Sequence, residues 1–86
     1  MTVYKVVYRK QAARMLVNMP KSIAHRFIAA FDTLATGQAK GLDIKKLTGR
    51  DGYRLRMGGW RALYRMENDQ LIIEVVKIGP RGDIYK

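Results

Sequence analysis

The sequence contains no cysteine, one histidine and only seven acidic residues against seventeen lysines and arginines. Each shortage excludes something. Without cysteine there is no disulfide framework and no thiolate metal site. With His25 alone, an imidazole-based metal centre or a Ser-His-Asp triad is not expected, and no metal or cofactor is expected at all. The shortage of carboxylates leaves a net charge of +10 on 86 residues. That balance favours a polyanionic partner such as nucleic acid, an acidic protein segment or a membrane surface. No apolar run approaches the roughly 20 residues of a membrane span. The opening Met-Thr-Val-Tyr-Lys-Val-Val-Tyr-Arg-Lys lacks the apolar core of a signal peptide, so cytoplasm is the expected compartment. Repeats, low-complexity tracts and linkers are absent too. A chain of this length builds one modest core, so residues 1–86 are read as one domain.

What is present is organised around residues 53–65, where apolar and basic residues alternate with period two. Tyr53, Leu55 and Met57 alternate with Arg54 and Arg56. Trp60, Ala62 and Tyr64 alternate with Arg61, Leu63 and Arg65. Gly58-Gly59 lies between the two runs, and a Gly-Gly pair there predicts a two-residue hairpin turn, because the turns that match strand twist need positive φ. That loop length sets the register: Met57 faces Trp60, Arg56 faces Arg61, Leu55 faces Ala62 and Tyr53 faces Tyr64. One face is then Tyr, Leu, Met, Trp, Ala, Tyr, which makes Tyr53, Trp60 and Tyr64 core residues. The other carries Arg54, Arg56, Arg61 and Arg65. Like charges directly across a strand pair destabilise it. The face is either a solvated exterior with splayed guanidinium groups or a surface for an anion, and the planar guanidinium fork suits phosphate.

The rest of the chain supplies the support. Thr2–Tyr8 is β-rich with apolar residues on both parities and predicts a buried strand. In residues 9–19, Ala12, Met15, Leu16 and Met19 form a helical stripe. Pro20 ends that helix and opens the next, where Ile23, Phe27, Ala30, Phe31 and Leu34 recur at three and four up to Gly37. His25 lies beside that stripe, and Met15, Met19, Met57 and Met66 fall on buried faces as core filler. Residues 37–52 show no periodicity and are read as a connecting segment that brings Lys45, Lys46 and Arg50 near the hairpin. Glu67-Asn68-Asp69-Gln70 predicts a turn into a strand over Leu71–Ile78. A two-residue loop at Asn68-Asp69 would place Glu74 on the arginine face opposite Leu63, and Val76 opposite Arg61. The expected fold is α+β with the order β-α-α-β-β-β: a two-helix hairpin on one face of a small, mainly antiparallel sheet, the first strand joining its edge.

Tyr53-Arg54-Leu55-Arg56, then Gly59-Trp60-Arg61-Ala62-Leu63-Tyr64-Arg65, then Lys77-Ile78-Gly79-Pro80-Arg81 with Asp83-Ile84-Tyr85 resemble the toxins of the RelE/ParE superfamily, and the RelE branch more than the ParE branch. The resemblance implies the toxin of a type II toxin–antitoxin system: a ribosome-dependent endoribonuclease that cleaves mRNA in the decoding (A) site by 2′-OH attack. It also implies a cognate antitoxin and the ribosome with its message as partners. On the matching positions it implies Arg61 and Arg81 as phosphate clamps and Tyr85 at the reacting nucleotide as catalytic residues. Arg54, Arg56, Arg65, Lys45 and Lys46 would then contact RNA. Arg54 and Arg56 stand where RelE-like members often carry Lys. Arginine stays charged and makes a poor base, so Lys45, Lys46 and Tyr85 remain the candidates for that role. Two other classes stay open: a ParE-like inhibitor of DNA gyrase, and a basic nucleic-acid-binding module without catalysis.

Overall fold

The computed structural model describes residues 3–80. The chain runs β1 (Lys5–Tyr8), α1 (Lys10–Asn18), α2 (Lys21–Ala35), β2 (Asp43–Lys46), β3 (Tyr53–Met57), β4 (Trp60–Glu67) and β5 (Ile72–Pro80). The strands form one five-stranded sheet in the order β1-β5-β4-β3-β2. β1 pairs with β5 in parallel, and every other pairing is antiparallel. Two helices on a mostly antiparallel sheet is the α+β arrangement expected from the sequence, with one strand more than the expected order.

That extra strand is β2. Asp43-Ile44-Lys45-Lys46 has one apolar residue in four and no alternation strong enough to announce a strand. It is extended because β3 offers it a partner, Ile44 against Leu55 and Lys45 against Arg54. The expected β3–β4 register is found residue for residue, Arg56 against Arg61 included. Gly58 alone of the pair has positive φ, at 60°, as a turn of type II′ requires.

The helical hairpin turns where expected. Met19 caps the end of α1 and Pro20 opens α2. Helix α2 closes with the Gly37 N–H donating to the Leu34 carbonyl and the Gln38 N–H to the Thr33 carbonyl. Gly37 has a φ of 87°, which a residue without Cβ adopts without strain. The covered face of the sheet contributes Leu55, Ala62, Tyr64, Ile73, Val75 and Ile78 to the core. Phe27 and Phe31 of α2 and Ala12 of α1 pack against them, all fully buried. Phe31 meets Tyr8 and Tyr64 edge-on at ring separations of 6.0 and 5.4 Å, and Tyr53 stacks on Tyr64 at 5.4 Å. Burying one such aromatic stabilises by about 2–3 kcal/mol. Met15, Met19, Met57 and Met66 lie in or against this core, as expected, and His25 is exposed.

Two expectations about strands are corrected. β1 is half-exposed rather than buried on both sides: it is an edge strand whose Val6 and Tyr8 face the core while Val7 stays 37% exposed. The β4–β5 connection is four residues, Asn68–Leu71, with Glu67 paired to Ile72. A bulge follows: Tyr64 pairs with Val75 but Leu63 with Lys77, leaving Val76 as the extra residue. Arg61 therefore stands opposite Gly79 rather than Val76, and Glu74 opposite Arg65 rather than Leu63. A regular strand would send Val75 and Lys77 to one face. The bulge puts Ile78 into the core instead.

Candidate functional site

The sheet face away from the helices is where the arginines fall. Strand parity and register place Asp43 and Lys45 of β2 there, with Arg54 and Arg56 of β3, Arg61, Leu63, Arg65 and Glu67 of β4, and Glu74, Lys77 and Gly79 of β5. Leu63 is only 4% exposed yet lies outside the core cluster. Arg54 and Lys77 flank it in register, and the aliphatic stems of such residues shelter apolar surface while their charges reach water.

The basic residues divide into three groups. At the Gly58-Gly59 end, Arg56 and Arg61 stand directly across from each other, with Asp43 beyond Arg56 and Gly79 beyond Arg61 in the same row. Gly79 offers no side chain to crowd the Arg61 guanidinium. Arg56, Gly58, Gly59 and Arg61 line an open concavity of about 340 Å³. Pro80, the last described residue, pairs with Trp60 at this same end. Arg81 and Tyr85, both singled out in the sequence, lie outside the described residues.

The second group surrounds the β2–β3 loop. Lys45, Lys46, Leu47, Thr48, Arg50 and Arg54 line a concavity of about 380 Å³. Lys45 shares the arginine face, whereas Lys46 pairs with Tyr53 and has the opposite parity. Arg54 is largely covered: its side chain is 16% exposed and its Nη2 donates to Asp43 Oδ1 at 2.9 Å. Its Nε is buried without a hydrogen-bond partner among the described residues.

The third group is a neutralised network. Arg65 donates to Glu67 at 3.1 Å and lies 3.7 Å from Glu74, whose other oxygen accepts from Arg9 Nε at 2.9 Å. Arg65 is thus bound to two carboxylates on its own face. It shares the face with Arg56 and Arg61 but not their concavity. Glu67 sits two residues along β4 and Glu74 directly across the β4–β5 ladder, a pairing set by the four-residue Asn68–Leu71 connection.

Two residues of this neighbourhood escaped the sequence reading. Lys77 reaches the face only because of the bulge. Arg26 of α2 joins Asp43 and Arg56 in lining a further concavity at the edge of the sheet. Helical periodicity marks Arg26 as exposed but cannot say which strand it stands beside. Among the described residues there is no group of three or more acidic or histidine side chains that could hold a metal ion, and no helix long and apolar enough to cross a membrane. What the arrangement can do chemically is bind an anion at two separate concavities. At the Arg56–Arg61 end it presents two guanidinium groups to one position.

Comparison with known proteins follows the same line. Residues 6–85 match the family described as the ParE toxin of the type II toxin–antitoxin system parDE. A protein of Methanocaldococcus jannaschii named "Putative toxin RelE1" is 34% identical over 86 residues, covering 96% of each chain. The crystal structure of the archaeal RelE–RelB complex from Pyrococcus horikoshii matches with a TM-score of 0.80 at 33% identity, over 96% of this chain and 99% of that one. The isolated E. coli RelE toxin matches with a TM-score of 0.72 over 95% and 90%; at 17% identity that likeness concerns the fold alone.

Proposed function

The chain belongs to the RelE/ParE superfamily of toxins of type II toxin–antitoxin systems, and from that premise we propose that it is a ribosome-dependent endoribonuclease that cleaves mRNA in the A site and so inhibits translation. The observation that carries this reading is the cross-strand pair Arg56–Arg61, which faces a shared concavity beside the end of β5. Two guanidinium forks side by side at one concavity suit a phosphate that lies between them.

In the proposed reaction the ribose 2′-oxygen attacks the adjacent phosphorus. The P–O2′ bond forms as the 2′-hydroxyl gives its proton to a base, for which Lys45, Lys46 and Tyr85 are the candidates; the P–O5′ bond breaks, and the 5′-oxygen takes up a proton as it leaves. Arg61 and Arg81 hold the phosphoryl oxygens and stabilise the charge that grows on them in the transition state. Arg56 adds to that field. Tyr85 stacks on the reacting nucleotide or moves a proton. Lys45 and Lys46 bind the RNA backbone at the second concavity, and Arg54, tied to Asp43, contributes positive potential there. Arg65, held by Glu67 and Glu74, contacts RNA at the rim by exchanging a carboxylate for a phosphate. A cognate antitoxin and the ribosome carrying its message are the proposed partners; RelE of Pyrococcus horikoshii is itself in complex with RelB.

A second reading has the ParE family match in its favour: an action on DNA gyrase without RNA chemistry. One experiment separates the two. Primer extension on a defined message in a purified translation system compares the wild type with Arg61→Ala and Arg81→Ala. In-frame breaks that require ribosomes and fall at least a hundredfold in both folded variants are the expected outcome. An intact message with normal translation refutes the nuclease and shifts the weight to gyrase, assayed by DNA supercoiling. Full cleavage by both variants refutes the phosphate clamp.

A further inference from the structure

We propose that Gln11 is a positioning residue for this chemistry: its amide replaces a missing strand and holds the C-terminal end of β5 against Arg61. The inference rests on the nuclease reading above. β1 pairs with β5 only from Lys5–Ile72 to Tyr8–Val75, and the Arg9 N–H donates to the Val75 carbonyl at 2.9 Å as the chain leaves for α1. β5 then continues to Pro80 with no strand on that side among the described residues.

The bulge at Val76 decides which backbone is left unpaired. In an antiparallel ladder, alternate residues turn their N–H and C=O toward one neighbour. After the extra residue it is Ile78, fully buried as a side chain, whose peptide groups point away from β4. Buried peptide groups require partners. Gln11, in the first turn of α1, supplies both. Its Nε2 donates to the Ile78 carbonyl at 3.1 Å, and the Ile78 N–H donates to Oε1 at 3.0 Å. A primary amide carries a donor and an acceptor side by side in one plane, as a paired strand would. Glutamate lacks the donor, and methionine lacks both strong groups.

Position follows from that clip. Gly79, the next residue, stands opposite Arg61, Pro80 stands opposite Trp60, and Arg81 comes next in the chain. The clip therefore ties α1 to the strand end that stands opposite Arg61. Chemistry that depends on two cations meeting one phosphate is steeply sensitive to placement, with a displacement of about 1 Å costing on the order of a hundredfold.

The test uses the full chain with purified ribosomes and message. Gln11→Met and Gln11→Glu are compared with Ile23→Ala, a destabilising change on α2 away from this contact. Circular dichroism establishes that each is folded at the assay temperature. Exchange of the Ile78 amide, read by NMR, reports the clip directly. The expected result is faster exchange at Ile78 in both Gln11 variants. Single-turnover cleavage should fall 10- to 100-fold at saturating ribosomes, with half-saturation within threefold of wild type and Gln11→Met the worse of the two. Ile23→Ala should cleave within threefold of wild type. Normal cleavage by folded Gln11→Met overturns the positioning role, as does an equal loss in Ile23→Ala or a loss confined to half-saturation. Should a Gln11 variant not fold, Gln11→Asn, which keeps the amide on a shorter stem, must show the same turnover defect or the proposal falls. A wild type that cleaves nothing overturns the nuclease reading and this inference with it, and the exchange data still show whether the clip exists.

Discussion

Gly52 is the position where a single methyl group should do the most harm. Its φ is +117°, outside the regions L-residues adopt, and a Cβ built there would lie 2.9 Å from the Tyr64 carbonyl oxygen. That oxygen belongs to the backbone of β4 and cannot swing aside as a side chain would. The Arg65 Cγ and a Leu47 methyl, both at 3.4 Å, close the remaining space. Gly49, in the same loop, isolates one of the two effects. It has a φ of +76° and nothing within 4 Å of a built Cβ. Gly49→Ala should therefore cost only the left-handed backbone, about 1 kcal/mol. Gly52→Ala adds a less accessible dihedral and the displacement of β4, for a total of about 3 kcal/mol. A domain of this length has roughly 4–13 kcal/mol to lose. The corresponding fall in Tm is roughly 12–24 °C for Gly52→Ala and 4–8 °C for Gly49→Ala. Urea unfolding followed by tryptophan fluorescence, with thermal melts alongside, measures both. If the two variants lose stability equally, within about 0.5 kcal/mol, the close approach to Tyr64 is not what makes glycine necessary.

Tyr8→Phe should raise stability by about 1 kcal/mol, since the Tyr8 hydroxyl is buried with no hydrogen-bond partner among the described residues; an unchanged or lower urea midpoint would show that the hydroxyl is satisfied in solution. Burial, with Asp32 adding its charge, raises the Tyr8 phenol to about 12, and burial with Tyr53 nearby does the same for Tyr64. Both folded values exceed the unfolded one, so this stability is fully present below pH 10 and is lost as pH rises from about 10 to 12. The loss should approach about 1.4 kcal/mol per pH unit per tyrosine, and Tyr8→Phe should roughly halve it. A urea midpoint that stays flat to pH 11.5 would contradict both shifts.

Legibility followed the range of the interaction. The β3–β4 hairpin could be read because its determinants are adjacent in the chain: a Gly-Gly turn of set length and period-two alternation on either side. The juxtaposition of Arg56 and Arg61 came with it. The two helices were equally local, each announced by its stripe and punctuated by Pro20 or Gly37. β2 was missed because Asp-Ile-Lys-Lys is a strand only by virtue of its partner. The pairing of Arg54 with Asp43 was missed with it, since those residues are eleven apart in sequence and meet across that ladder. The β4–β5 register went astray by two residues at the loop and one more at the bulge. Neither Asn68–Leu71 nor Val75-Val76 carries a local signal that fixes its length of pairing.

The class of molecule is written in local features of the chain: a small basic α+β domain with one apolar sheet face, an arginine-rich opposite face and the motifs of a toxin family. These follow from composition, periodicity and turn chemistry, which act over a few residues. Which charges are engaged and which backbone ends must be closed follows from long-range packing. Arg65 and Glu74 meet across a ladder, Lys77 turns outward after a bulge, and Gln11 reaches a peptide group 67 residues away. Ion pairs and hydrogen bonds act over about 3 Å, and which groups come that close is set by the packing of the whole sheet against its helices.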